Sequence, residues 1–275
     1  MKSRAGAYPY LAWMLIFIII PVALIIYYSL TQNVNGETVF TLDNFARAFG
    51  PVYLKVMWRS VSLAFICTVI SLGFGYPAAL IMAEKNFDKN GTVLFLIIMP
   101  MWMNFLLRTY AWLTILEKNG LINTALGFLR LPKLDMLYTS SAVILGMVYN
   151  FLPFMILPIY SVIVKIDRSL IEAAQDLGAN PSLVFRKLII PLSLPGVLSG
   201  VTMVFVPAVS TFVISQLLGG GKDMLLGDLV EIQFLGSAYN PHLGSAIALV
   251  MMIIVMLFMY VMNRFGEGEE MAVGL

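Results

Sequence analysis

Residues 168–195, RSLIEAAQDLGANPSLVFRKLIIPLSLP, form a polar, helix-forming stretch between two long apolar runs. Apolar runs of about twenty residues cross a bilayer as helices, so a polar stretch between two of them is expected in water. Ser169 and Glu172 have the S-x-x-E spacing of a capping box, and Asp167 is an alternative helix cap. The stretch is therefore predicted to be a water-exposed loop that carries its own short helices.

The first of these loop helices is predicted to be amphipathic. Apolar side chains recur on one face at i, i+3, i+4 and i+7, namely Leu170, Ala173, Ala174 and Leu177. Gly178 can supply a left-handed stop, and Asn180-Pro181 can open a second helix that ends near Arg186 and Lys187. Because so short a helix is marginal alone, it needs a surface to lie against. That surface is either its own protein or lipid headgroups, or else a soluble partner on which the helix docks.

The composition places the chain in a membrane. Of its 275 residues, 60% are hydrophobic and 12% are charged, and the mean hydropathy is +0.90. A soluble domain carries roughly a quarter charged residues. The net charge of +2 is too small, and the basic residues too scattered, to indicate a nucleic-acid partner. The single cysteine, Cys67, excludes an intrachain disulfide, and its apolar surroundings are typical of a small buried side chain.

Six apolar runs are long enough to span a bilayer, so we predict an all-α membrane protein. The predicted spans form one transmembrane domain over residues 1–275 and lie at 8–30, 60–83, 92–116, 140–164, 196–218 and 243–262. Several prolines lie within them, and each frees backbone groups that neighbouring helices must satisfy. We therefore expect bent helices in a packed bundle with a cavity.

The connections between the spans differ in character. Residues 31–59 are a polar loop with a short interfacial helix near 42–49, residues 84–91 a tight charged turn, residues 117–139 a loop with an amphipathic piece at 121–129, and residues 219–242 a Gly-rich loop or re-entrant turn. An even number of spans places both termini on one side. Basic residues favour the cytoplasm for that side by nine to seven. The nine are Lys2, Arg4, Lys85, Lys89, Lys165, Arg168, Arg186, Lys187 and Arg264, and the seven are Arg47, Lys55, Arg59, Lys118, Arg130, Lys133 and Lys222.

Arg108 is the charged residue that lies deepest in a predicted span. An intramembrane arginine is costly unless it is paired, faces water or extends to the membrane edge. Arg108 therefore either snorkels outward or lines a water-filled pathway. Aromatic and amide side chains lie at a similar depth, and for the aromatics core packing or the interfacial belt is the alternative to contact with a ligand. The candidates for the pathway are Trp102, Asn104, Tyr110, Tyr149, Asn150 and Phe154.

The sequence contains no catalytic or metal-binding constellation. His242 is the only histidine, so neither a zinc site of the usual kind nor a histidine-based triad can be assembled. Gly219-Gly220-Gly221-Lys222 lacks the leading glycine and the Ser/Thr of a phosphate-binding loop. ATP hydrolysis, if the chain depends on it, is thus expected in another chain.

The polar stretch resembles the EAA loop of permease subunits in ABC-type importers. The residues that carry the resemblance are Glu172, Ala173, Ala174 and Gly178, followed by Leu188, Ile190 and Pro191. In that family the loop forms a cytoplasmic coupling helix that sits in a groove of the ATP-hydrolysing subunit. The resemblance implies a type I importer permease (MetI-like) fold, and roles in coupling for Glu172, Ala173, Ala174, Leu177, Gly178, Leu188 and Pro191.

Further stretches resemble the first permease subunit of spermidine/putrescine importers, among them 40–44, 75–77, 100–104, 152–155 and 225–235. The resemblance implies a multi-pass subunit of the bacterial cytoplasmic membrane that pairs with a second permease. It also implies two copies of an ATPase, which bind ATP and Mg²⁺, and an external solute-binding protein. This chain is expected to need no cofactor of its own.

The residues leave the solute class open. No predicted span holds a carboxylate away from its ends, although Asp228 and Glu231 in the Gly-rich loop either receive a cation or are simply solvated. Arg108 suits an anionic solute better, so an importer of an anion or another small solute is the alternative. A passive channel, a membrane-embedded enzyme and a purely structural or receptor-like protein are the alternatives of a different class, and none of them requires the EAA spacing.

Overall fold

The computed structural model describes residues 8–34, 36–84, 91–222, 224–236 and 238–273, with side chains up to Phe265. The α-helices within these ranges are α1 (Tyr8–Met14), α2 (Ile20–Ser29), α3 (Asp43–Ala48), α4 (Pro51–Ala83), α5 (Thr92–Ile98), α6 (Phe105–Leu116), α7 (Leu121–Phe128), α8 (Ser140–Ile163), α9 (Arg168–Asp176), α10 (Pro181–Val184), α11 (Ile190–Ser210), α12 (Val213–Gly219), α13 (Leu226–Leu235) and α14 (Pro241–Val273). Lys2, Arg4, Lys85 and Lys89, which entered the charge comparison, lie outside the described residues.

Five helical segments are long and apolar enough to cross a membrane, and a bent pair brings the number to six if it is counted as one span. The five are Pro9–Ser29, Pro51–Ala83, Ser140–Ile163, Pro181–Ser210 and Pro241–Phe265, here spans 1, 2, 4, 5 and 6. Span 3 is the pair Thr92–Trp102 and Phe105–Phe128, whose two parts meet at 94°. The expected all-α membrane architecture is confirmed.

The expectation of a continuous third span is wrong. A 3₁₀ turn, Met99–Trp102, contains Pro100, and Met103 after it is extended at φ −75° and ψ 148°. Asn104 then caps a new helix, because its side chain accepts a hydrogen bond from the Leu106 amide at 2.8 Å. Proline and a built-in helix cap thus place an elbow in the middle of the apolar run.

Two helices differ in extent from the predicted spans. The helix of span 2 begins at Pro51, before residue 60, because Gly50 and Pro51 supply a helix start. The second loop helix does not end near Arg186 but is continuous with the helix of span 5, which runs from Pro181 to Ser210 and ends before residue 218.

Both π-helical turns of the described chain lie just before a proline. Leu15–Ile19 precedes Pro21, and Phe185–Ile189 precedes Pro191. A proline inside a helix lacks an amide and its ring collides with the carbonyl four residues earlier. The wider turn relieves that collision, so the helix continues where a break would otherwise be expected.

The core of the bundle is formed where α8 packs against both α4 and α11. Two glycines of α11 allow the close approach. A Cβ on Gly196 would lie 2.9 Å from the Pro158 carbonyl oxygen, and one on Gly200 would lie 3.1 Å from the Met155 carbonyl oxygen. Span 1 packs instead on α14, at the edge of the bundle.

A β-hairpin follows span 1 and was not predicted. Strands β1 (Thr31–Val34) and β2 (Glu37–Phe40) are antiparallel, with Thr31 opposite Phe40. The predicted interfacial helix follows as α3, and its Asn44 donates to the carbonyls of Ser29 and Thr31 at 3.1 and 2.9 Å. The hairpin and α3 are therefore fastened to the end of span 1.

Candidate functional site

The coupling-loop helix α9 is capped at its start by Asp167. The Asp167 carboxylate accepts the Ser169 amide at 3.0 Å, and hydrogen bonds from Ser169 lower the pKa of this exposed carboxyl. Ser169 lies inside the first turn, so the capping-box interpretation of Ser169 and Glu172 is wrong. The competing cap, Asp167, lies two residues earlier and forms instead.

The end of α9 is a complete Schellman motif. Gly178 is left-handed at φ +85°, its amide donates to the Gln175 carbonyl at 2.8 Å, and the Ala179 amide donates to the Ala174 carbonyl at 3.0 Å. The Asn180 side chain then caps α10 by accepting the Leu183 amide at 2.8 Å. The predicted roles of Gly178 and Asn180 in the backbone are confirmed.

Apolar side chains near both ends of α9 are exposed rather than packed on the rest of the chain. Leu177 is 89% exposed and Leu170 is 47% exposed. Ala174, Leu177, Gly178 and Leu188 line an open hollow of about 490 Å³ between α9 and the start of span 5. These four residues, which carry the predicted coupling role and are called the coupling surface below, are uncovered in the chain.

The opposite side of α9 faces the ends of two spans. Glu172 lines a cavity of about 530 Å³ together with Leu80 of α4 and Ile163 of α8. The ends of spans 2 and 4 therefore lie beside α9, while Ala173 and Pro191 are exposed and line neither hollow.

The predicted pathway residues do not form one cluster. Trp102, on the elbow of span 3, is 74% exposed and contacts Phe95 edge-on, with 5.7 Å between ring centroids. Tyr110 is 51% exposed on α6. Tyr149 contacts Trp112 edge-on at 5.3 Å, which joins α8 to α6, and Phe154 is 36% exposed further along α8. Asn104 is used as a helix cap.

Two of the predicted pathway residues are buried polar groups. Asn150 donates to the Gly146 carbonyl at 2.8 Å, and its Oδ1 has no hydrogen-bond partner among the described residues. Arg108 is 9% exposed, its guanidinium carbon lies 5.9 Å from the centre of the Phe105 ring, and its Nε is unpartnered within the described chain. The snorkelling interpretation of Arg108 is therefore wrong, because the side chain remains inside the fold.

Asp228 is not solvated, contrary to the alternative that a loop position favoured. It lies in the first turn of α13 and is 3% exposed, and its Oδ2 accepts the Leu225 amide at 2.7 Å. Burial raises its pKa to about 6 against the lowering effect of that hydrogen bond. Glu231, one turn later, is half-buried and accepts the Gln216 side-chain amide at 2.9 Å.

Sequence reasoning missed Gln216 and Ser60, which hold this region together. Ser60, in span 2, accepts the Leu226 amide at 2.7 Å, across 166 residues of chain. The signal for a second helix in the Gly-rich loop was present, since the carboxylate of Asp228 three residues after Leu225 is suited to cap a helix start. No local signal pointed to Ser60, because the contact is tertiary.

Comparison with known proteins identifies the family of the chain. Residues 74–267 match the family described as binding-protein-dependent transport system inner membrane component. The chain belongs to this family. As a permease of such a transport system it is a membrane transport subunit rather than an enzyme, and it is multi-pass.

Curated relatives match the permease over nearly its whole length. It is 39% identical over 259 residues to the spermidine/putrescine transport system permease protein PotB of Haemophilus influenzae, covering 92% of this chain and 90% of that protein. It is 38% identical to the PotB protein of Escherichia coli K12, covering 92% and 93% of the two chains. Identity to the inner membrane ABC transporter permease protein YdcU of the same organism is 30%, over 88% and 80%.

Solved structures show the same fold at low identity. A chain of a bacterial alginate ABC transporter in complex with a periplasmic protein matches the permease with a TM-score of 0.80 and 16% identity, over 94% and 92% of the two chains. A chain of the MetNI methionine ABC transporter matches with a TM-score of 0.58 and 16% identity, over 78% and 95%. The expected MetI-like fold is thereby confirmed.

Proposed function

We propose that the chain is the polyamine-transporting permease subunit of an ATP-driven importer, a single transmembrane domain that forms half of the translocation pathway. The observation that carries the proposal is 38–39% identity over 92% of the chain to relatives named spermidine/putrescine permeases. Aromatic faces such as Trp102 and Tyr110 suit a passing organic cation, since cation–π contacts are worth about 0.5–2 kcal/mol. Contacts of this strength allow the organic cation to pass without holding it tightly.

The coupling surface is the site at which a separate ATPase would drive this subunit. Both ends of α9 are capped by hydrogen bonds within the loop itself. Its apolar side chains do need covering, since Leu177 is 89% exposed on a polar loop. The partners are a second permease, two copies of the ATPase that bind ATP and Mg²⁺, and an external solute-binding protein. The coupling loop and both termini then face the cytoplasm.

ATP-driven closure of the two ATPase subunits would displace α9 and tilt the spans that it touches. Glu172 lies against the ends of spans 2 and 4, and Leu188 belongs to the helix that becomes span 5. Movement of α9 therefore reaches three spans, and the cavity opens alternately to either side.

The test is a reconstituted transporter with its binding protein loaded with labelled spermidine or putrescine. We expect ATP-dependent uptake of the polyamine, and no uptake of an anionic solute presented in the same way. Gly178→Asp should reduce uptake and ATPase co-purification by about tenfold or more, because an aspartate brings a negative charge to the apolar coupling surface.

Gly178→Asn is the matched control, since asparagine tolerates the left-handed conformation and carries no charge. It should retain most of the activity. Polyamine uptake that is unaffected by Gly178→Asp would overturn the coupling role, whereas a wild-type complex that transports only anions would overturn the substrate class.

A further inference from the structure

Asp228 lies at the end of the molecule opposite the coupling surface. Span 5 runs away from α9 and ends at Ser210, and α12 and α13 follow that end. The Leu226 amide is bonded to Ser60 in the first half of span 2, whereas the last turn of span 2, at Leu80, lies beside α9. Asp228 and the coupling surface therefore lie at opposite ends of the helix bundle.

The carboxyl group of Asp228 is only half satisfied. Oδ2 accepts the Leu225 amide at 2.7 Å, while Oδ1 is buried without a hydrogen-bond partner among the described residues. The nearby Ser215 hydroxyl donates to the Phe212 carbonyl at 2.8 Å, and Ser215 and Gln216 lie close enough to Asp228 to lower its pKa without giving Oδ1 a hydrogen bond of good geometry. No lysine or arginine of the described chain forms an ion pair with Asp228. A buried carboxylate oxygen of this kind is costly until it binds a proton or a cation.

A second acidic group lies between Asp228 and solvent. Glu231 is half-buried on the same helix, and its charge acts on Asp228 in the direction that raises the pKa of Asp228. Gln216, which is exposed on α12, holds the Glu231 carboxylate at 2.9 Å. The two carboxyl groups thus form a graded pair, one reachable from water and one enclosed.

Helix α12 connects this acidic pair to the elements that carry the predicted pathway. It packs against α6, which bears Tyr110, and against α8, which bears Tyr149. The acidic pair therefore lies beside a helix that contacts the same two helices that carry these aromatic residues.

We infer that Asp228, with Glu231 and Gln216 at its entrance, is a subsite for an ammonium group of the transported amine, an inference that rests on the proposed function. An ammonium carries three N–H donors and a charge. An ammonium N–H can donate to Oδ1, which has no hydrogen-bond partner among the described residues. Oδ2 meanwhile continues to cap α13 by accepting the Leu225 amide. In the conformation described the subsite is closed to solvent, so it fills when α12 and α13 separate.

The discriminating variant is Asp228→Asn in the full reconstituted complex. Asparagine keeps an oxygen for the Leu225 amide, so the cap remains while the charge is lost. We expect polyamine uptake per ATP hydrolysed to fall by about tenfold or more, because a hydrogen bond to a charged group is lost. ATPase stimulation by the loaded binding protein should stay within about twofold of wild type, because the coupling surface is unchanged.

Asp135→Asn is the matched control. Asp135 is on the same side of the molecule, in the loop before span 4, and is 84% exposed beside Lys118. Its loss should change uptake by less than about twofold, since surface ion pairs contribute little. Normal uptake in Asp228→Asn with impaired uptake in Asp228→Ala would overturn the inference, because it would mean that the carboxyl acts only as a helix cap.

A measurement on the unmodified complex covers the case in which the variants do not assemble. A hydrophobic carbodiimide modifies enclosed carboxyl groups, and mass spectrometry of the peptide identifies Asp228. We expect putrescine to slow this labelling at least threefold relative to sodium chloride of equal ionic strength. Equal labelling in both would overturn the subsite. Wild-type complex that transports no polyamine at all would instead overturn the proposed function.

Discussion

The two ends of the permease leave different kinds of group without a partner: one exposes an apolar side chain and the other buries a polar oxygen. At the coupling end both termini of α9 are capped by hydrogen bonds, yet Leu177 is 89% exposed. At the far end Asp228 is 3% exposed, yet one of its oxygens has no partner in the described chain. Uncovered apolar area calls for a large, shaped surface, whereas one unsatisfied oxygen calls for a small polar group. The first end is suited to a protein and the second to a small cation.

The largest effect is expected from Leu177→Asp at the coupling end. If the coupling surface binds the ATPase as proposed, a charged side chain there should reduce ATPase co-purification by about a hundredfold, since a hot-spot residue is worth about 2–4 kcal/mol. The isolated permease should keep its thermal stability, because Leu177 makes little contact with its own chain. Quantitative pull-down and a detergent melting curve measure the two effects.

Leu129→Asp provides the matched control for that prediction. Leu129 is 70% exposed, but it follows α7 on the side opposite α9. If both variants lose the ATPase equally, the contrast between the two ends is wrong.

A smaller effect is expected from Ser60→Ala at the far end. The variant leaves the buried Leu226 amide without its acceptor, which costs about 1–3 kcal/mol. Melting should occur at a lower temperature and amide exchange should rise in 225–235, whereas ATPase binding should remain. Ser199→Ala is a suitable comparison, because the Ser199 hydroxyl bonds only its own helix at Pro195 and is exposed. Unchanged exchange at Leu226 would show that Ser60 does not fasten α13.

The smallest effect is a pH dependence of stability at the same end. The pKa of Asp228 is raised from 3.8 to about 6 by burial, with Glu231 adding to the rise. The folded protein therefore holds this proton more tightly than the unfolded chain. This proton therefore adds to the free energy of unfolding, fully below pH 4 and no longer once the pH has risen through 6. The melting temperature of wild type relative to Asp228→Asn should fall by a few degrees from pH 4 to pH 7. A constant difference would contradict the raised pKa.

The coupling end was largely predictable from the sequence because its signals are local. Asp167, Gly178 and Asn180 each act on backbone groups within three residues, so spacing alone identifies them. The error at Ser169 arose because Asp167 and Ser169, two residues apart, are both suitable helix caps. Local spacing does not decide between them.

The far end was poorly predictable because its contacts are tertiary. The helix that carries Asp228 is fastened by Ser60, which lies 166 residues earlier in the chain. The elbow at Asn104 was hidden inside an uninterrupted apolar run, where hydropathy cannot locate a break. The hairpin was signalled by Asn35-Gly36 between two short β-prone runs, but the polar composition of residues 31–40 hid it.

The π turn at Phe185–Ile189 makes span 5 a single rod of 30 residues that starts in the coupling loop and ends beside α12. Such a rod is about 45 Å long, and tilting it by about 10° about its inner end sweeps the outer end through about 8 Å. Span 5 ends at Ser210, next to α12 and to α13, which carries Asp228. In the proposed importer, this one helix would connect ATP hydrolysis at one membrane face with the opening of the Asp228 subsite at the other.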